Sequence, residues 1–214
     1  WRVREDVLAI DSENGSYYRI DLSDSGSTRV LDGFLHDVNG VTGTRVSTRL
    51  TKPVADGSPA TGSGRVLTLF DGETLDGWKI SGEPDAFEVD RGMIKGTETA
   101  GLLIYAGEGP ETPDLTDFDL RMQVRTGPEA NSGVWVHLRE PVIRELAIAL
   151  EVQIYHHAAN YSTGSIFGIQ SARLPDVRDR EWFELRIVVE GRTITSFVNG
   201  EKILQWTQPE RWNP

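Results

Sequence analysis

From Arg65 to Thr207 the chain is a succession of short segments in which apolar and polar residues alternate. VLTLF, FEVD, MIKG, GLLIYA, DFDLRMQVRT, GVWVHLR, ELAIALEVQIYHH, SIFGIQ, WFELRIVVEG, TITSFVNG and EKILQWT follow one another, cut apart by turn residues. A period of two is the mark of a strand, because successive side chains leave on opposite faces. No stretch keeps the 3.6-residue period of an amphipathic helix. Many short, closely spaced strands predict an all-β antiparallel sandwich or jelly roll.

The alternation also assigns faces. Phe118, Leu120, Met122 and Val124 form one stripe, with Asp119, Arg121, Gln123 and Arg125 opposite. Phe183, Leu185, Ile187 and Val189 form another apolar stripe, as do Leu146, Ile148, Leu150, Val152 and Ile154. Strands patterned in this way pack one sheet face on another and leave the remaining faces to water or a ligand.

Ahead of this region the chain reads differently. VLAIDSENGSYYRIDLS places two β-type runs around Asn14-Gly15, a hairpin signal, and a second hairpin is expected around Asn39-Gly40. PVADGSPATGSG, 53 to 64, has no apolar period and reads as a linker. The expected organisation is an N-terminal β-hairpin segment (1–52), a linker (53–64) and a sandwich domain (65–214).

Charge and composition narrow the function. With 22 basic against 33 acidic residues the net charge is -11, and no basic patch stands out, so nucleic acid is not the expected partner. No apolar run approaches the ~20 residues of a membrane span. The chain has no cysteine, which excludes disulfides and thiolate metal ligands. It opens on Trp1, and its only methionines are Met93 and Met122, so a processed form or a fragment is expected.

Two strands carry chemistry on their polar faces. In ANSGVWVHLRE, Val134, Val136 and Leu138 point one way while Trp135, His137 and Arg139 point the other. In ELAIALEVQIYHH the face opposite the apolar stripe holds Glu151, Gln153 and Tyr155, with His157 next. If the two strands are neighbours, they combine a flat aromatic, a carboxylate, an amide and an imidazole. Sugars call for that mixture, since their C–H faces stack on Trp or Tyr and their hydroxyls take fixed donors and acceptors. Ordinary solvated strand faces, with cross-strand ion pairs, are the plainer alternative.

For acid–base work the candidates are Glu151, His137 and His157. His156 and His157 are adjacent on a strand and face opposite ways, so they do not form a chelating pair, and neither a metal nor an organic cofactor is expected. His36 has no evident partner. Nucleophile-elbow, phosphate-loop and dinucleotide motifs are absent from the sequence.

An ordered set of motifs then resembles one family. TLFDGETLDGWKI (68–80) is similar to the opening of the DUF1080, or 3-keto-disaccharide hydrolase, domains; FEVDRGMIKGT, GLLIYA and DFDLRMQVRT follow in the family's order. NSGVWVHLR resembles its "NSGV" strand, EVQI its "EVQI" strand, and TGSIFGI, EWFELRIVVEGRTITSFVNGEKI and WTQP its last third, so the similarity spans about residues 66 to 209. It implies a concanavalin A-like sandwich, export from a bacterium (secreted or periplasmic), and action on glycosides oxidised at carbon 3. A 3-keto group acidifies the neighbouring C–H, so a base can begin an elimination.

Position by position, the resemblance marks Asn131, Ser132, Gly133, Glu151 and Gln153. The implied chemistry needs a base, for which Glu151 or a histidine is available, and an oxyanion stabiliser, for which Arg139 or Gln153 is available. Taken with the two polar strand faces, this gives Glu151, His137 and Gln153 as candidate catalytic groups and Asn131, Trp135, Arg139, Tyr155 and His157 as candidate sugar-binding groups. The chain departs from the family pattern in having His137 where Arg is frequent, Tyr155-His156-His157 where Asp often follows, and an inserted PVIRELAIAL. The first 65 residues have no counterpart and suggest a larger architecture. A non-catalytic glycan-binding or structural assembly module is the competing reading.

Overall fold

The computed structural model describes residues 7–12, 17–23, 66–97, 100–107, 115, 117–138 and 150–210. Among them the regular structure is all strand: β1 Val7–Ser12, β2 Tyr17–Ser23, β3 Val66–Thr68, β4 Trp78–Gly82, β5 Phe87–Asp90, β6 Met93–Gly96, β7 Gly101–Tyr105, β8 Phe118–Arg125, β9 Ser132–Leu138, β10 Leu150–Ile154, β11 Phe183–Glu190, β12 Thr193–Val198 and β13 Glu201–Thr207. They form two antiparallel sheets. One has the order β10-β9-β1-β7-β4; the other runs β13-β12-β11-β8-β2-β6-β5, with β3 also on β2.

The two sheets pack through the stripes that alternation predicts. Leu103, Val134, Val136, Leu150, Val152 and Ile154 of the first sheet meet Leu120, Met122, Val124, Phe183, Leu185, Ile187 and Val189 of the second in one cluster. Fully burying a side chain of this size stabilises by about 1.5–3 kcal/mol. The sandwich expectation therefore holds at the level of layers and faces. The FDGETLDGW stretch is structural. Asp71 Oδ1 accepts hydrogen bonds from the backbone N–H groups of Glu73 (2.7 Å) and Thr74 (2.8 Å), and Trp78 Nε1 donates to Leu69 O at 2.6 Å.

Two expectations are corrected. The stretch around Asn14-Gly15 does not pair with itself as a hairpin. β1 inserts between β9 and β7, and β2 inserts between β8 and β6. A lone two-stranded hairpin is marginal in water, whereas each slot offers a strand two edges to pair with. SIFGIQ is not a regular strand either. Ile166 makes single bridges to Val152 and Gln170, and the residues between turn through Gly168 at φ 71°. The hairpin expected at Asn39-Gly40, the linker 53–64, and residues 145–149 lie outside the described residues.

Candidate active site

β9 and β10 are neighbours, and their register decides what shares a face. Trp135 lies opposite Glu151, Val134 opposite Val152, and Gly133 opposite Gln153. Val134 and Val152 enter the core, so the rows of Trp135 and Glu151 leave by the other side. On the far edge of β9 the backbone of β1 brings Ala9 level with Trp135 and Asp11 level with Gly133.

Gly133 is the seat of the Glu151 carboxyl. A methyl group built on Gly133 would collide with Oε1 of Glu151, and would stand 2.6 Å from its Cγ and 2.9 Å from its Cδ. The Glu151 side chain therefore folds across the position where every other residue carries a Cβ. The glycine is required for close approach, not for an unusual φ.

The outer edge of β10 is closed by residues 163–167. Gln153 N–H donates to Ser165 O (2.9 Å), Gly164 N–H to Gln153 O (2.8 Å), and Phe167 N–H to Glu151 O (2.9 Å). Ile166 goes into the core beside Val152, while Phe167 is 53% exposed. Phe167 is therefore carried beside Glu151. Sequence reasoning did not single it out, although the Ile166/Phe167 alternation carried the signal.

The predicted residues are not equally presented. Trp135 is half-buried, and its Nε1 is buried with no hydrogen-bond partner among the described residues. Gln153 is only 3% exposed, and its Oε1 accepts from the N–H of Ile154 at 3.2 Å, so it belongs more to the wall than to the opening. His137 is half-buried at φ 56°, where the β1–β9 register shifts between Val7 and Ala9. The bulge resets the alternation there, so period two does not extend past Val136. Asn131 is exposed just before β9, and continuing the register brings it level with Tyr155. Arg139 lies outside the described residues. From the Trp135 row to the Asn131 row the strip spans about 13 Å at ~3.3 Å per residue.

At the Tyr155 end a polar cluster appears that the sequence did not reveal. His157 Nε2 meets Asp179 Oδ2 at 2.7 Å, and the Tyr155 and His157 rings lie 5.7 Å apart. Asp179 also accepts from the Thr126 hydroxyl (3.0 Å) and from Glu129 N–H (3.2 Å). Burial pushes the Asp179 carboxyl up, but hydrogen bonds from His157, Glu129 and Thr126 outweigh that and hold it below the usual carboxylate value. A charged Asp179 makes Nε2 of His157 the protonated nitrogen.

His156 goes inward. Its Nε2 stands 2.9 Å from Thr126 Oγ1 and its Nδ1 2.8 Å from Thr163 Oγ1, with the Phe183 ring 5.4 Å away. Thr126 spends its one proton on Asp179, so His156 Nε2 donates to Thr126. Thr163 accepts from Tyr155 N–H (3.0 Å), so its hydroxyl donates to His156 Nδ1. Burial lowers the His156 pKa more than Asp179 raises it, and His157 lowers it further, so the ring is neutral. Asp179 is 22 residues beyond His157 in a loop, a separation that no local pattern encodes. Among the described residues no group of three or more His, Asp or Glu side chains could hold a metal ion.

No curated protein matches the chain. Among solved structures, one from Parabacteroides distasonis ATCC 8503, named as a candidate glycosyl hydrolase, is similar at 18% identity and a TM-score of 0.48, covering 68% of this chain and 74% of that one. Residues 66–214 match the family described as the 3-keto-alpha-glucoside-1,2-lyase-like domain. That match takes in β3 to β13 and both strands of the Trp135–Glu151 pair, and the chain belongs to this 3-keto-disaccharide hydrolase family.

Proposed function

We propose that the chain cleaves glycosides whose sugar is oxidised at carbon 3, by elimination across C1 and C2, with Glu151 as the base. The Glu151 carboxylate takes the proton from C2, and the C–H electron pair moves toward the C3 carbonyl to give an enolate. The enolate then collapses, the C1–C2 double bond forms, and the C1–O bond breaks with its electrons leaving on oxygen. His137, at the bulge two residues past Trp135, supplies the proton that the departing oxygen needs. Trp135 stacks on the sugar, and Asn131 and Tyr155 bind hydroxyls farther along the strip.

The observation that carries this reading is the glycine seat. A carboxylate held over Gly133, directly across from Trp135, is fixed in place as a base must be. Glu151→Gln keeps the shape and removes the base. Turnover of a 3-keto-glycoside is expected to fall by about 10²–10⁴-fold with the circular dichroism spectrum unchanged; an unaltered rate defeats the reading.

A binding module is the second reading, favoured by the burial of Gln153 within the wall. It predicts glycan binding without turnover in the unmodified protein, and binding that survives Glu151→Gln.

A further inference from the structure

Pairing between β9 and β10 ends at Ser132 opposite Ile154, yet the strip that the two strands carry runs one row farther. Continuing the register brings Asn131 level with Tyr155, and Glu129 level with His157. Asn131 is exposed and Tyr155 half-buried. Strand ends beyond the last rung open readily unless something else ties them. At the level where the next rung would fall stands the Asp179 carboxylate.

Asp179 Oδ2 accepts from Glu129 N–H (3.2 Å) and from His157 Nε2 (2.7 Å). One oxygen thus joins the residue two before Asn131 to the residue two after Tyr155. Its Oδ1 takes the Thr126 hydroxyl at 3.0 Å, at the start of the turn that leads from β8 into β9. The neighbouring Arg180 repeats that tie through its N–H, which donates to Thr126 O at 2.9 Å, and Ala130 N–H closes the turn on Gly127 O at 3.2 Å. A second route runs inward from Thr126 Oγ1 to His156 Nε2 (2.9 Å), from His156 Nδ1 to Thr163 Oγ1 (2.8 Å), and from there to Tyr155 N–H (3.0 Å). Both routes begin at one carboxylate, and bonds to an ionised acceptor are the strong ones.

The geometry points to Asp179 as a positioning residue, whose carboxylate replaces the missing rung of the β9–β10 ladder and holds Asn131 and Tyr155 side by side for the second ring of a disaccharide. This inference rests on the reading of the Glu151 face as the glycoside site. Asp179 acts through Asn131 and Tyr155 and leaves the Glu151 chemistry in place. The Asn131 row lies about 13 Å from the Trp135 row at ~3.3 Å per residue. A single ring on Trp135 falls short of it, and a second ring reaches toward it.

Two probes separate positioning from general damage: methyl 3-keto-α-glucoside, and maltose oxidised at carbon 3 of its non-reducing ring. In Asp179→Ala, KM for the oxidised maltose is expected to rise about tenfold, the size of one or two hydroxyl contacts. KM for the methyl compound is expected to rise less than about threefold. An equal rise for both probes, or none for the maltose, overturns the inference. If Asp179→Ala fails to fold, Asp179→Asn, which keeps the shape and removes the charge, decides by the same comparison. Amide hydrogen exchange reads the clasp without a ligand. The N–H groups of Glu129 and Tyr155 are expected to exchange faster together in the variant; acceleration of Glu129 alone overturns the tie between the strands. Calorimetric titration of the oxidised maltose into Glu151→Gln, with and without Asp179→Ala, separates this inference from the catalytic reading. Turnover that persists in Glu151→Gln, with a Kd that depends on Asp179, removes the base and keeps the clasp. Lost turnover, with a Kd indifferent to Asp179→Ala, removes the clasp and keeps the base.

Discussion

The outward faces of the two sheets look alike on paper and differ in space. DFDLRMQVRT and NSGVWVHLR both alternate apolar with polar residues. On β8 and β11, Asp119 takes Arg186 in a fork, Nε to Oδ1 and Nη2 to Oδ2, both at 2.8 Å, and Arg121 Nη2 joins at 3.2 Å. The Arg186 guanidinium also lies 4.8 Å over the Phe197 ring. These charges close on one another, as cross-strand pairs do when their work is to hold strands together. On β9 and β10 the Glu151 carboxyl folds across Gly133, on the strand that also carries the Trp135 indole. Polar residues on a strand face thus say little by themselves. A glycine across the ladder from them says more, because it makes room for a side chain to be placed.

Several changes test this contrast. The largest effect is expected from Glu151→Gln, with its loss of about 10²–10⁴-fold in rate, set against Asp119→Asn, which leaves turnover unchanged. Next comes Gly133→Ala. The added methyl displaces the Glu151 carboxyl, and kcat is expected to fall about 10–100-fold, since an ångström of misplacement costs that much. Overpacking also removes about 1–3 kcal/mol of stability, readable in a urea titration. A full-rate Gly133→Ala enzyme would show that the seat is incidental.

Asp119→Asn sharpens the other half of the comparison. It leaves two guanidinium groups facing each other without their anion, in a spot where Asp119 is largely but not fully shielded. A loss of about 2 kcal/mol is expected, below the range for fully buried pairs. That should lower Tm by about 4–8 °C in a chain of this size.

The smallest effect concerns acid. His156 has a folded pKa below its ordinary value, so below about pH 6.5 the unfolded chain binds a proton that the folded chain refuses. Stability is therefore complete above that pH and declines as pH falls through it. Asp179, with its depressed pKa, adds a second decline in the same direction. Its contribution is present above the ordinary carboxylate value and lost as pH drops through the folded one. Thermal melts between pH 8 and pH 5 should show the first decline, reduced in His156→Gln. A melt insensitive to pH over that range would mean that the cluster is not closed as described.

The stripes of Phe118 to Val124, Phe183 to Val189 and Leu150 to Ile154 were legible in the sequence because burial follows a period of two. So was the shared side of Trp135 and Glu151, which follows from alternation when β9 and β10 are neighbours. Three things were not legible. The turn of the backbone at His137 leaves no trace in hydropathy. Asp179 reaches His157 through a loop, and Thr126 reaches His156 across 30 positions. The slots taken by β1 and β2 depend on gaps between strands far apart in the chain, whereas an Asn-Gly turn speaks only about its nearest neighbours.

Those two N-terminal strands have one more consequence. The stretch that family similarity outlines begins at residue 66, yet the seams of both layers are sewn by threads from before that point. Trimming the chain at that border would split one layer between β7 and β9 and the other between β6 and β8, baring raw ladder edges in the middle of each. A border drawn by kinship is thus not a border that unfolding would respect, and β1 and β2 count as masonry rather than porch.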